Sequence, residues 1–148
     1  MLFVFSWFNF LEPERQVTLT VTGIDHVVLR CRDLAAMERF YVEVLGLEVA
    51  RRAERIGLVQ LRAGAQLVDL VDAAGMLGQE GGAAPGSEGR NLDHLCLNVA
   101  DFDLAAVTAH LQAHGVTVGE SGRRFGAKGM GVSLYLTDPE GNGLELRG

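Results

Sequence analysis

Two histidines stand inside apolar, strand-like runs of this sequence. His26 lies in GIDHVVLR, residues 23–30, and His94 lies in NLDHLCLN, residues 91–98. Alone, a histidine in a strand is more often a hydrogen-bonded core residue than a metal ligand. Repetition of the pattern at matching positions of one chain favours a metal-binding role, because neutral imidazole is the side chain that most often binds metals.

Two carboxylates occupy comparable places in later apolar runs. Asp69 lies in QLVDLVD, residues 66–72, and Glu145 lies in GLELR, residues 143–147. Strand side chains alternate between faces, and the apolar neighbours of each acid and of each histidine should pack on a helix. The four polar groups therefore share the opposite face, where a cation would relieve the cost of burying carboxylates. Such a set suits a divalent ion: Zn, Ni, Co, Mn or Fe(II).

The helix and strands that must position these side chains occur in two similar copies along the sequence. Asp-Leu-Ala-Ala occurs at 33–36 and again at 103–106, each time opening a helix that ends at a glycine, Gly46 or Gly115. Each half then reads as strand, helix and three strands. The sequence therefore predicts module one at 22–72, a linker at 73–90 and module two at 91–148, with a mobile, glycine-rich loop at 120–131.

Composition limits the function classes. The 148 residues are 48% hydrophobic, enough for one domain with a core, and the net charge of −6 argues against nucleic-acid binding. Two cysteines suit a reducing cytoplasm. Residues 1–21 form an apolar extension without the features of a signal peptide or a membrane span. We expect it to pack on this subunit or a partner; a disordered tail, an upstream start-codon artefact and an interfacial anchor are the alternatives.

Several sequence motifs resemble those of the vicinal oxygen chelate superfamily. They are DHVVL at 25–29, FYVEVLGLEV at 40–49, DPEGN at 138–142 and LEL at 144–146. Glyoxalase I, bleomycin- and fosfomycin-resistance proteins and extradiol dioxygenases belong to it, and the likeness covers residues 22–148. It implies an α+β fold in which two βαβββ modules form a cupped mixed sheet with the helices outside.

The resemblance also implies roles for single residues. His26, His94 and Glu145 match the family's metal ligands, and Asp69 stands where a longer glutamate or glutamine is usual. Arg30 matches an arginine that binds a glutathione carboxylate in glyoxalase I. An asparagine expected in the same glutathione site is Ala73 here. Of these two residues expected to bind glutathione as a co-substrate, the chain therefore has one, Arg30.

The leading hypothesis is a glyoxalase-like lyase or isomerase acting on a small oxygen-chelating substrate. The metal would polarise a substrate oxygen and stabilise an enediolate, while Glu145 or Asp69 moves the proton. The predicted substrate-binding side chains are Arg30, Gln60, Cys96, Arg124, Lys128 and Tyr135.

Two alternatives stay open, and both keep the same fold. One is an Fe(II) dioxygenase with His26, His94 and Glu145 as its facial triad. The other is a binding or resistance protein that holds a ligand without turnover. For all three we expect a cytoplasmic homodimer with a small-molecule substrate and no nucleic-acid or membrane partner. His110 and His114, one helical turn apart, are predicted to lie on a helix surface.

Overall fold

The computed structural model describes residues 19–148. Module one contains β1 His26–Cys31, α1 Leu34–Arg39, β2 Glu48–Ala53, β3 Leu58–Ala63 and β4 Gln66–Asp72, followed by the short α2 Met76–Gln79. Module two contains β5 His94–Asn98, α3 Leu104–Ala113, β6 Val118–Gly126, β7 Gly129–Thr137 and β8 Gly143–Arg147. None of the helices within 19–148 is long and apolar enough to cross a membrane.

The two modules have the same sheet topology. In module one the order is β1-β4-β3-β2, with β1 parallel to β4 and the other neighbours antiparallel. Module two repeats this as β5-β8-β7-β6. The predicted α+β fold of two βαβββ modules is therefore confirmed.

Both repeated helices begin as their sequences predict. The Asp33 carboxylate accepts a hydrogen bond from Ala36 N at 2.9 Å, and the Asp103 carboxylate accepts one from Ala106 N at 2.8 Å. These bonds satisfy amides that the first helical turn leaves without partners. α1 ends early and continues as a π-helical turn, Phe40–Val44. Gly46 then turns the chain with φ +74°, a conformation that glycine adopts without strain.

One expected loop is a β-hairpin. The prediction of a mobile loop at 120–131 was wrong, because β6 and β7 pair through this stretch as far as Gly126 and Gly129. Glycine, serine and arginine have little intrinsic preference for strands. The strand conformation of β6 therefore depends on its pairing with β7, which itself pairs with β8.

The apolar faces of both sheets contribute to one hydrophobic cluster. Leu29, Cys31, Leu70, Leu144 and Leu146 are each at most 8% exposed and pack there with residues of the helices. The opposite faces carry His26, Asp69, His94 and Glu145, as the period-two alternation requires. We call that opposite side of the strands the cup face.

Glu140 connects the two modules. Its Oε1 accepts hydrogen bonds from Arg32 N at 2.5 Å and Asp33 N at 2.7 Å, just before α1. We expect Glu140→Ala to lower the free energy of unfolding by about 1 kcal/mol, because two amides lose a charged acceptor. Urea denaturation measures this, with Glu120→Ala as the control, since Glu120 only forms an exposed pair with Arg124. Equal effects of the two substitutions would contradict the role given to Glu140.

Candidate metal centre

Each candidate histidine is oriented by the aspartate that precedes it. His26 Nδ1 lies 2.7 Å from Asp25 Oδ1, and His94 Nδ1 lies 2.7 Å from Asp93 Oδ2. A carboxylate that accepts the Nδ1 proton leaves Nε2 as the free donor atom, which is the usual arrangement around metal-binding histidines. Asp25 and Asp93 were missed in the sequence analysis, although both runs contain the same Asp-His dipeptide.

In module two, His94 and Glu145 form a contact that we call the second half-site. His94 Nε2 lies 3.1 Å from Glu145 Oε2, on adjacent parallel strands. Tyr135 OH donates to Glu145 Oε2 at 3.2 Å, and Ser133 OH donates to Oε1. Glu145 is only 5% exposed, so two hydroxyls hold its carboxylate in a fixed position next to the imidazole.

The surroundings of Glu145 keep it ionised. Burial by itself would raise the pKa of this carboxyl, but hydrogen bonds from Ser133 and Tyr135 and the charges of His94 and Arg147 together lower it below its ordinary value. A carboxylate of lowered pKa is a suitable metal ligand and a weak proton acceptor. The geometry therefore favours Glu145 as a ligand more than as a general base.

In module one, His26 and Asp69 form what we call the first half-site. Asp69 is 4% exposed, and its Oδ2 accepts a hydrogen bond from Gln60 Nε2 at 2.9 Å. Its Oδ1 is buried and has no hydrogen-bond partner among the residues described. The hydrogen bond to Asp25 raises the pKa of His26 despite partial desolvation, and the charge of Asp69 adds to this. A cation beside Asp69 Oδ1 would satisfy the unpaired oxygen.

The two half-sites do not meet within one chain. Among residues 19–148, no three side chains of His, Cys, Asp or Glu surround a common point. The cup face of β1 is open, with Val28 49% exposed, and β1 and β5 are each the edge strand of a sheet. Each chain thus presents a two-donor half-site on each sheet, whereas a metal site of this kind needs at least three protein ligands.

The donor types fit a divalent metal ion. Each half-site combines an imidazole whose Nε2 points away from its aspartate with a buried carboxylate. Nitrogen and carboxylate oxygen suit zinc, nickel, cobalt, manganese and iron(II). One first and one second half-site together would supply four donors.

The predicted substrate-binding residues differ in their surroundings. Arg30 donates to four backbone carbonyls of the linker, those of Gly78, Gly81, Gly82 and Ala83, at 2.6–3.2 Å. Its guanidinium thus holds the linker, and contact with a substrate carboxylate stays a prediction. Lys128 lies in the β6–β7 turn and lines a cavity between the modules.

Three groups surround the second half-site. The Arg124 guanidinium lies over the Tyr135 ring, 5.7 Å from the ring centroid. Its positive charge is therefore close to the Tyr135 hydroxyl, which donates to Glu145. Cys96 pairs with Glu145 across the strands. Burial, and then the charge of Glu145, raises the pKa of Cys96 to about 11, which leaves a neutral thiol and a poor nucleophile.

Arg147 is a further cup-face residue that the sequence analysis did not single out. It lies two positions after Glu145 on β8, is 4% exposed, and donates to Gly129 O at 2.7 Å. Its charge helps to lower the pKa of Glu145. The parity rule that placed Glu145 on the cup face would also have found Arg147.

Comparison with known proteins identifies the family. The sequence profile of the glyoxalase/bleomycin resistance protein/dioxygenase superfamily matches residues 23–146. The chain belongs to this superfamily. A glyoxalase domain-containing protein, RDO1 of Mycosarcoma maydis, is 31% identical over 142 residues, which cover 91% of this chain and 73% of the relative.

Two further proteins to which this chain is similar carry the names of enzymes. A catechol-2,3-dioxygenase of Bacillus subtilis is 29% identical over 128 residues, covering 84% of this chain but 41% of that protein. The crystal structure of a lactoylglutathione lyase from Agrobacterium tumefaciens superposes with a TM-score of 0.63 at 25% identity, covering 86% of this chain and 93% of that one. Membership of the superfamily is therefore shown, and the reaction is a separate question.

Proposed function

We propose that this protein is a divalent-metal-dependent lyase or isomerase of the glyoxalase type, working as a homodimer. In each active site the first half-site, His26 and Asp69, comes from one subunit. The second half-site, His94 and Glu145, comes from the other. Each dimer then holds two equivalent sites, as twofold symmetry requires.

The repeated Asp–His pair is the observation that carries this proposal. Both histidines have Nδ1 2.7 Å from a carboxylate and each lies on the same face as a buried acid. An ordinary core histidine needs no such repeated arrangement. Asp25 and Asp93 are themselves over 90% exposed, so these pairs orient the rings and add little to stability.

The open surfaces support the assignment of each site to two subunits. β1 and β5 leave edges unpaired within the described chain, and an unpaired edge is a ready site for contact with another copy. Exposed apolar side chains lie on or beside the cup faces: Val28 and Leu92 are 49% and 42% exposed. A second copy would cover these side chains and supply the missing donors.

The chemistry of such a site is proton transfer between neighbouring carbons. A bound divalent ion would act as a Lewis acid on a substrate oxygen and acidify the adjacent C–H. Three donors, His26, His94 and Glu145, would hold the ion during this step, so that Asp69 can give up its cation contact, accept that proton on Oδ1 and return it to the neighbouring carbon. Glu145 holds its place through Ser133 and Tyr135, and Arg124 beside Tyr135 attracts an anionic group of the substrate.

Ring-cleaving dioxygenation is the second candidate. Two imidazoles and one carboxylate also form the facial triad of iron(II) oxygenases, and the Bacillus subtilis relative is named a catechol-2,3-dioxygenase. This reaction requires molecular oxygen as co-substrate, and the lyase reaction does not. Oxygen consumption therefore distinguishes the two.

A direct assay tests the proposed function. The untagged chain is stripped with a chelator and reloaded with Zn, Ni, Co, Mn or Fe(II). It is then given the hemithioacetal of methylglyoxal and glutathione, or catechol with an oxygen electrode. We expect metal-dependent loss of the hemithioacetal without oxygen uptake. Oxygen uptake with Fe(II) and catechol alone would favour the second candidate, and a chain that binds none of these metals would contradict both.

A further inference from the structure

A large cavity, partly open to solvent, lies between the two modules and is lined mainly by the helix-facing sides of their strands. Its volume is about 1030 Å³. Most of its wall is apolar and comes from β1, β4, β5 and α3, including Val27, Val68, Leu95, Leu97 and Val107. The few charged or titratable side chains in the wall are Arg62, Cys96, His110 and Lys128, and His110 is already bonded to Val44 O at 2.8 Å.

An apolar filling suits this space better than water does. Protein interiors pack densely and contain few voids larger than a water molecule. This space is partly open to solvent and its walls are mainly apolar. Covering the walls with apolar side chains would remove that surface from water, which is favourable, and apolar patches of this size seldom stay exposed.

The N-terminal segment of this chain has the composition to fill the cavity. Residues 1–11, MLFVFSWFNFL, include four phenylalanines and Trp7, the only tryptophan of the protein, and have no charged side chain. The described chain leads to the same place, because Ile24 lines the cavity and Leu19 and Val21 are 85% and 87% exposed. Twelve residues separate Leu11 from Ile24, and they span up to about 40 Å when extended. That exceeds the roughly 14 Å radius of gyration of a domain of this size.

We propose that residues 1–11 fold back and occupy the cavity between the modules of their own chain. These residues then pack between the two sheets of their own chain. It packs on the apolar faces of β1 and β5, whose opposite faces carry His26 and His94. This inference concerns the helix-facing side of the sheets and holds whether or not the cup faces bind a metal.

Trp7 gives a direct spectroscopic test. In the intact chain we expect blue-shifted emission and weak quenching by acrylamide, compared with free tryptophan. Ala106→Arg places a charge in the cavity wall at an exposed position of α3. It should shift the emission to the red and increase quenching. Ala105→Arg, at the next position and also exposed but outside the wall, should leave both unchanged.

A deletion provides a second measurement, should Ala106→Arg fail to fold. Removing residues 2–11 should open the cavity and increase the fluorescence of bound anilinonaphthalene sulfonate, with unchanged far-ultraviolet circular dichroism. The proposal is overturned if Trp7 of the intact chain emits like free tryptophan, or if Ala105→Arg and Ala106→Arg act alike. It is also overturned if the blue shift disappears when dimers dissociate on dilution, because the segment then packs on a second copy.

Discussion

Alanine in place of His94 is expected to abolish stoichiometric metal binding, weakening the affinity by at least about 100-fold. Loss of a residue that only orients a ligand typically costs ten- to 100-fold in affinity, and loss of the ligand itself costs more. His94 also contacts Glu145 Oε2 at 3.1 Å, so its removal disturbs the second half-site as a whole. Elemental analysis of untagged protein after dialysis against Zn²⁺ measures the effect.

His114→Ala is the matched control for this substitution. His114 lies at the end of α3, where its Nδ1 contacts His110 O, and it has no contact with either half-site. It should keep the metal content of the unmodified protein. Equal metal content in all three proteins would remove His94 from the metal centre.

Asparagine in place of Asp69 is expected to have opposite effects on stability and on binding. In the metal-free protein, the free energy of unfolding should rise by about 1 kcal/mol. The reason is that a buried carboxylate oxygen without a partner carries a desolvation cost, and the neutral amide carries less of it. Metal affinity should fall at least about ten-fold, because an anionic donor is lost.

Denaturation in the presence of a chelator and metal titration measure the two quantities. Asp103→Asn is the control, since Asp103 caps α3 at the surface and asparagine caps equally well. It should change neither value. A fall in metal-free stability in Asp69→Asn would mean that the carboxylate is structural and not a site kept for a cation.

The fold was readable from the sequence because its local signals agree with its tertiary contacts. Asp33 and Asp103 cap their helices as the repeated letters predict. The alternation around Asp69 and Glu145 places the leucines in the core and both acids on the cup face. The hairpin at 120–131 was not readable, because its glycines and arginines form strands only through pairing with β7.

The candidate site could be predicted only in part. The alternation of side chains along a strand shows on which face of its sheet a residue lies, but not how far it lies from another sheet. His94 and Glu145 lie on adjacent strands, so pairing brings them together. His26 and His94 lie on different sheets, and their separation depends on how modules associate. Arg30 has the expected position on β1, yet its hydrogen bonds to linker carbonyls involve residues about fifty positions away, which no local pattern encodes.

Complementation between two inactive variants tests the central claim that each metal site takes one half-site from each subunit. His26→Ala and His94→Ala are expected to bind no metal separately. In a mixed dimer, one site lacks both histidines and the other has both intact. After random exchange, half of the dimers are mixed, so metal content should recover to about one quarter of that of the unmodified protein. No recovery, with subunit exchange verified by mass spectrometry, would contradict the composite site.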